Sequence, residues 1–129
     1  MGWNSTSTLF FCYSKEDMYK TNVKEVLIDV SDNTTISSGV NTDGMLLTGI
    51  VFPAAMTGTE LTFDFSIDGT NWYDVVETDG TAVTYTVTAG DAVRVDPSGW
   101  AFASSGFIRV TSGSAEAADR NIKLIFRTA

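Results

Sequence analysis

Five acidic residues on or near one predicted hairpin are the first candidates for chemistry in this chain: Asp64, Asp68, Asp74, Glu77 and Asp79. Two carboxyl groups that face each other across a cleft can perform acid–base catalysis, as they do in glycosidases. Here Asp64 and Asp68 alternate with apolar residues along one predicted strand, which places them on its outer face. We therefore interpret both as solvated acids, and an enzyme is the least favoured interpretation.

Other catalytic and metal-binding arrangements lack their usual residues. The chain contains no histidine, which removes Ser-His-Asp triads, Cys–His pairs and histidine-ligated metals. Cys12 is the single cysteine, so no intramolecular disulfide can form, and we interpret it as a small apolar residue. Asp68, Asn71 and Asp74 could offer oxygen ligands to calcium, but Asp-Gly turn chemistry explains them as well. We expect no catalytic residue, no metal and no cofactor.

Three aromatic residues are candidates for a ligand site or an interface: Trp72, Trp100 and Phe102. Tyr73, next to Trp72, is weighed with them as part of a possible sugar-binding platform. Such rings can stack on sugars when they are exposed and lie side by side on a β-sandwich. A tryptophan just after a hairpin turn is more often part of a core or an interface. Exposure of Trp72 or Trp100 would favour carbohydrate binding.

The element that must position these residues is a hairpin over Gly58–Val76. Its first strand has an apolar face that alternates with a polar one, and Asp68-Gly69-Thr70-Asn71 interrupts the pattern before a second strand begins. A period of two that ends in an Asp-Gly turn is typical of a β-hairpin with one buried face. The residues predicted to point inward are Leu61, Phe63, Phe65 and Ile67.

The rest of the chain has the same character from residue 23 onward. Short alternating or apolar segments are separated by turns about every 8–12 residues, as in antiparallel sandwiches. The clearest segments are Glu25–Val30, Met45–Phe52, Ala82–Thr88, Gly106–Ser112 and Arg120–Arg127. We predict an all-β protein, an antiparallel, jelly-roll-like β-sandwich of about eight strands over residues 23–129, preceded by an extended N-terminal arm over residues 1–22.

The predicted arm is rich in large apolar side chains without strand or helix periodicity. Such side chains need a surface to pack against, and we expect that surface to belong to a neighbouring protein. The candidate partner-binding residues are Trp3, Leu9, Phe10, Phe11, Tyr13 and Tyr19.

Charge restricts the partners of the chain. The net charge is −8, and the segment from Glu25 to Val93 holds eleven acidic residues and no lysine or arginine. An acidic surface repels phosphate backbones, so we expect no nucleic-acid binding. It could instead complement a basic partner, including the two ends of this chain in a neighbouring subunit. No apolar run approaches the length of a membrane span, and residues 1–6 lack the features of a signal peptide, so we expect neither membrane insertion nor signal-directed secretion.

Two motifs carry a resemblance to known families. The segment from Ser66 to Val75 has the pattern S-x-D-G-x-x-W-x-x-V, and Gly106–Val110 and Arg120–Leu124 follow it as an aromatic-x-R-V strand and a closing strand. The first motif resembles hairpins of discoidin-type jelly rolls and of phage sandwich modules. The stretch from about Leu46 to Arg127 resembles small β-sandwich structural proteins of tailed bacteriophages, including capsid decoration (cement) proteins.

That resemblance implies a non-enzymatic virion protein at the capsid surface, which decorates and stabilises the capsid by binding the major capsid protein. By analogy with decoration proteins it also implies a homo-oligomer, with a trimer as the expected form. Two alternatives stay open: a phage tail or fibre component, and a carbohydrate-binding β-sandwich module.

Overall fold

The computed structural model describes residues 21–128, which form a β-sandwich of two antiparallel sheets. Nine strands and one 3₁₀ helix lie in this range. They are β1 Thr21–Ile28, β2 Val40–Asn41, β3 Met45–Val51, β4 Glu60–Ser66, β5 Tyr73–Asp74, β6 Thr84–Thr86, β7 Ala92–Arg94, the 3₁₀ helix Pro97–Ala103, β8 Phe107–Ser112 and β9 Arg120–Thr128. The predicted all-β sandwich is confirmed.

The order of the strands is that of a jelly roll. Sheet A has the order β1-β9-β3-β7, and sheet B has the order β2-β8-β4-β5, with β6 also paired to β4. β6 pairs with Glu60–Thr62 and β5 with Asp64–Phe65, so two short strands share the place of one along β4. This division explains why residues 21–128 form nine strands where the sequence predicts about eight.

The first and last strands of the described range are partners. β1 and β9 pair over eight residues, from Thr21 opposite Arg127 to Ile28 opposite Arg120. Because β1 begins at Thr21, a truncation that keeps this strand whole removes residues 1–20 only. Cys12 lies outside the described residues, and so do the candidate binding residues of the arm. The arm residues concerned are Trp3, Leu9, Phe10, Phe11, Tyr13 and Tyr19.

The hydrophobic core lies between the two sheets and is formed by the inward-pointing side chains of alternate strand positions. Leu61 and Phe63 of β4 are buried there as predicted. Ile67 is not, because β4 ends at Ser66 and the chain turns, leaving Ile67 73% exposed. The other buried core residues are Val26, Ile28, Leu47, Ile50, Phe52, Val75, Val95, Trp100, Ala103, Ile108, Val110, Ile122, Leu124 and Phe126.

The 3₁₀ helix crosses from sheet A back to sheet B. Asp96 caps it by accepting a hydrogen bond from the Ser98 backbone N–H, and Pro97 occupies a first-turn position, where its missing N–H costs nothing. Trp100 and Ala103 point into the core. No helix in the described part of the chain is long and apolar enough to cross a membrane.

A buried carboxylate joins two loops at the far end of β4. The Glu116 side chain, which has no exposed surface, accepts hydrogen bonds from the backbone N–H groups of Thr57 and Gly58, from Ser112 Oγ and from Arg120 Nε, all at 2.6–2.8 Å. Burial by itself would raise the pKa of Glu116, but these four donors together lower it to about 2. Gly58 must be glycine here, because a Cβ would collide with Ser112 Oγ.

Candidate interaction surface

The turn of the β4–β5 hairpin is held by its own side chains. Asp68 Oδ1 accepts hydrogen bonds from the backbone N–H groups of Thr70 and Asn71, and Gly69 adopts a φ of 82° that favours glycine. The hydrogen bonds that Asp68 accepts, above all those from Asn71 and Thr70, lower its pKa. Its carboxylate is thus committed to the turn. Among residues 21–128, no group of three or more His, Cys, Asp or Glu side chains is placed to hold a metal ion.

Beyond this turn, the hairpin and the 3₁₀ helix enclose an apolar depression at the edge of sheet B. We call it the hairpin hollow; its volume is about 330 Å³, and its apolar lining residues are Phe65, Tyr73, Val75, Val76 and Phe102. Tyr73, Val76 and Phe102 are 58%, 50% and 56% exposed. Large apolar side chains grouped on a soluble surface mark a site of interaction more often than isolated ones do.

The aromatic residues beneath the hollow are rigidly packed. Trp100 is only 4% exposed, and its indole N–H donates to Tyr85 Oη at 3.0 Å. Phe63 meets the Trp100 ring edge-on at 4.8 Å between centroids, and Phe102 stacks on its outer side at 6.0 Å. Phe102 also contacts Phe65 edge-on at 5.3 Å. Trp100 therefore supports the surface, while Phe102 forms part of it.

Acidic side chains line the rim of the hollow. Asp74 lines the hollow itself. Glu77 and Asp96 line an adjoining depression of about 420 Å³ that shares Val75, Val76 and Phe102 with it. Burial raises the pKa of the Tyr85 hydroxyl, while the hydrogen bond from Trp100 lowers it. The negative charges of Glu77 and Asp96 raise it further. The surface thus combines an apolar floor with a negative rim.

A second polar cluster lies on the outer face of sheet B. Arg109 Nε donates to Asp64 Oδ2 at 2.9 Å, and the Arg109 guanidinium lies 4.3 Å from the centroid of the Trp72 ring. The prediction that Asp64 is a solvated acid is wrong: it is 8% exposed, because Arg109 of the neighbouring strand covers it. Burial raises the pKa of Asp64, the charge and hydrogen bond of Arg109 lower it, and Asp74 raises it again.

This cluster does not have the geometry of a glycosidase. Asp64 and Asp74 are direct cross-strand partners in one sheet, whereas glycosidase carboxyls stand on opposite sides of a bound sugar. Asp64 is already neutralised by Arg109. The arrangement can hold β5 and β8 against β4.

The structure separates the three aromatic candidates. Phe102 belongs to the hairpin hollow, Trp100 is buried beneath it, and Trp72 lies on the other side of sheet B with one ring face covered by Arg109. They do not form one exposed platform. Tyr73, weighed with the tryptophans, does lie in the hollow, whereas sequence reasoning missed Phe65 and Val76 as surface-forming residues. No local signal marked these two, because the hollow forms from elements that meet only in the folded chain.

Comparisons with known proteins identify no family for this chain. No family model matches this chain, and no curated protein matches it. Among solved structures, the chain is similar to the SPBc2 prophage-derived protein YomS, with 11% sequence identity and a TM-score of 0.49 over 84% of this chain and 96% of that one. A likeness this distant transfers no function.

A second solved structure is more distant still. Peruvianin-I, a cysteine peptidase from Thevetia peruviana latex, is similar with 8% identity and a TM-score of 0.36, over 87% of this chain and 64% of that one. This likeness also transfers no function.

Proposed function

We propose that this chain is a non-enzymatic structural protein of a bacteriophage particle, which decorates and stabilises the capsid. Its partner is the major capsid protein, and it binds through the N-terminal arm and the edges of the sandwich. In this proposal the protein acts at the capsid surface as a homo-oligomer, and the trimer is the expected form.

The observation that carries the proposal is the hairpin hollow. It groups three exposed large apolar side chains on a small jelly roll, next to closely packed aromatic rings and beside a sheet edge that no further strand of residues 21–128 covers. Such a surface suits protein–protein contact, in which aromatic anchors fill apolar depressions. Three carboxylates are engaged elsewhere: Asp68 in its turn, Asp64 with Arg109 and Glu116 with four donors.

The sequence supports the same interpretation independently of the hollow. Its hairpin and closing-strand motifs resemble phage sandwich proteins, and the aromatic arm of residues 1–22 supplies anchors for a partner. Extended segments of this kind bind by adding backbone hydrogen bonds at a sheet edge and by inserting side chains into pockets.

The copy number of the chain in purified phage particles tests the location. Quantitative mass spectrometry of intact particles, with the major capsid protein as internal standard, measures it directly. A number comparable to that of the major capsid protein supports capsid decoration. A handful of copies per particle would favour the tail or fibre alternative, and complete absence from particles would refute both.

Capsid attachment should depend on the arm. We expect the full chain to bind capsids that lack it, and a variant with Phe10→Ala and Phe11→Ala to lose most of that binding, because apolar anchors dominate such contacts. Cosedimentation measures it, and Ser7→Ala with Thr8→Ala is the matched control. A chain of residues 21–129, checked for folding by circular dichroism, should behave like the phenylalanine variant. Undiminished binding by both would refute the role of the arm.

A further inference from the structure

The exposed large apolar side chains of residues 21–128 fall into two groups. One group lies in or beside the hairpin and the 3₁₀ helix, and the other lies on β1, at one side of sheet A. The first group consists of Ile67, Tyr73, Val76 and Phe102, and the second of Val23 and Leu27.

The second group continues across the outer face of sheet A. Four cross-strand neighbours form a row across the sheet, one from each strand. In order they are Val23 of β1, Ile125 of β9, Gly49 of β3 and Arg94 of β7. Ile125 extends over Gly49, where a Cβ would lie 3.4 Å from its Cδ1 atom. On β9, Lys123 and Arg127 lie two residues to either side of Ile125 and share its face. We call this surface the sheet A face.

The unpaired positive charges of the described range gather on the sheet A face. Residues 21–128 contain six basic residues, and three of them form ion pairs. These pairs are Lys24 with Asp43, Arg109 with Asp64, and Arg120 with Glu116. The other three, all exposed, make no ion pair with a carboxylate of residues 21–128; they are Arg94, Lys123 and Arg127. Glu25, which is opposite Lys123 and bonded to Asn121, is the acid that shares this face.

The hairpin hollow has the opposite charge. Its rim carries Asp74, Glu77 and Asp96, none of which forms an ion pair with a basic residue in the described part of the chain. The molecule therefore presents two apolar surfaces, one positive and one negative, on different sides of the sandwich.

We propose that copies of this chain associate head to tail, with the sheet A face of one copy seated on the hairpin hollow of the next. A contact between two hollows would bring acids together, and a contact between two sheet A faces would bring cations together. Because the chain carries a net charge of −8, copies repel each other except where unlike surfaces meet. The sheet A face is the one positive, apolar surface of the described residues.

Such an interface is heterologous, so each copy uses two different surfaces. Heterologous contacts close into a ring when the rotation between copies allows it, and otherwise continue into a filament. The proposal depends on the proposed function only in treating the hollow as a protein-binding surface. It can be tested without capsids, so its failure is distinguishable from failure of capsid decoration.

The test is sedimentation velocity of the full chain with two charge-reversed variants. The sheet variant carries Lys123→Glu and Arg127→Glu, and the hollow variant carries Asp74→Lys and Glu77→Lys. We expect the wild type to assemble at about 0.05 M salt and to dissociate towards about 1 M salt, where the Debye length is short. Each variant alone should stay monomeric.

Mixing the variants gives the sharpest outcome. The sheet variant keeps an intact hollow and the hollow variant an intact sheet A face, and their two substituted surfaces also carry opposite charges. A mixture should therefore assemble again, with the two variants alternating. A chain with all four substitutions has both signs exchanged and should assemble again. Asp32→Lys with Glu60→Lys matches the charge change of the hollow variant off both surfaces and should not prevent assembly.

Several outcomes would overturn head-to-tail association. They are a wild type that is monomeric at low salt, variants that still assemble alone, and a mixture that contains only monomers. Circular dichroism melts show whether each variant folds. Should the hollow variant unfold, the sheet variant mixed with wild type still decides the question, because it can only terminate an assembly and must reduce its mean size.

Discussion

At the scale of single residues, Glu116 shows how a carboxylate can serve the fold alone. It accepts hydrogen bonds from four donors: Thr57 and Gly58 in the loop before β4, Ser112 of β8 and Arg120 of β9. Arg120 also balances its charge. Glu116→Gln removes that charge and turns one acceptor into a donor that faces other donors. We expect the variant to lose about 2–4 kcal/mol of unfolding free energy, measured by urea denaturation at neutral pH. Glu60→Gln, at an exposed site, is the matched control and should change little.

The same residue sets a pH dependence. Because folding lowers the pKa of Glu116 from 4.5 to about 2, its contribution to stability is complete above about pH 4.5 and is lost as the pH falls towards 2. The unfolding free energy of the wild type should therefore decline over this interval more steeply than that of Glu116→Gln. Equal slopes for the two proteins would mean that Glu116 does not have a lowered pKa in the folded state.

At the scale of elements, the hydrogen bond between Trp100 and Tyr85 ties the 3₁₀ helix to β6. Tyr85→Phe leaves the Trp100 indole N–H buried without its acceptor, at a cost of about 1–2 kcal/mol. Tyr73→Phe removes a hydroxyl from an exposed ring of the same hairpin region and should be neutral. Thermal denaturation compares the two, and tryptophan fluorescence reports the changed surroundings of the indole. Equal stability of both variants would contradict this role.

The hairpin shows how far alternation predicts an element. Leu61 and Phe63 point into the core, because β4 is straight and central there. Ile67 departs from the pattern one residue after the strand ends, where the Asp68 turn rather than the pleat fixes its direction. Asp64 lies on the predicted face but is buried by Arg109, about 45 residues further along the chain. Alternation assigns a face; it does not say which distant side chain covers that face.

The candidate surface was harder to predict for the same reason. Phe65, Tyr73 and Phe102 come from three elements, and they meet only after β4, β5 and the 3₁₀ helix have taken their places. The charge pattern was more accessible: the sequence showed an acidic middle between basic ends. What it could not show is that Arg109 and Arg120 would be neutralised while Arg94, Lys123 and Arg127 share one exposed face.

At the scale of the whole molecule, the jelly roll divides into a well-paired centre and short edges. β9 pairs with β1 from Arg120 to Arg127 and with β3 from Lys123 to Thr128. β4 pairs with β8 on one side and with β5 and β6 on the other. β5, β6 and β7 are two or three residues long. The hairpin hollow is thus built on the least supported edge, and the sheet A face largely on the best supported strand.

This division predicts a gradient of local stability, which amide hydrogen exchange can measure in about 1 M salt, where we expect monomers. Amides of β9 and β4 should exchange slowest, since opening them breaks bonds to two neighbours and exposes the core. Amides of β5 and β6 that do not bond to β4 should exchange fastest.

In low salt, assembly through the hollow should slow the exchange of β5 more than that of β4, which is protected already. Equal protection of β5 and β9 in monomers would contradict the gradient. If the protein assembles at low salt but the amide exchange rate of β5 does not change with salt, the copies associate through another surface.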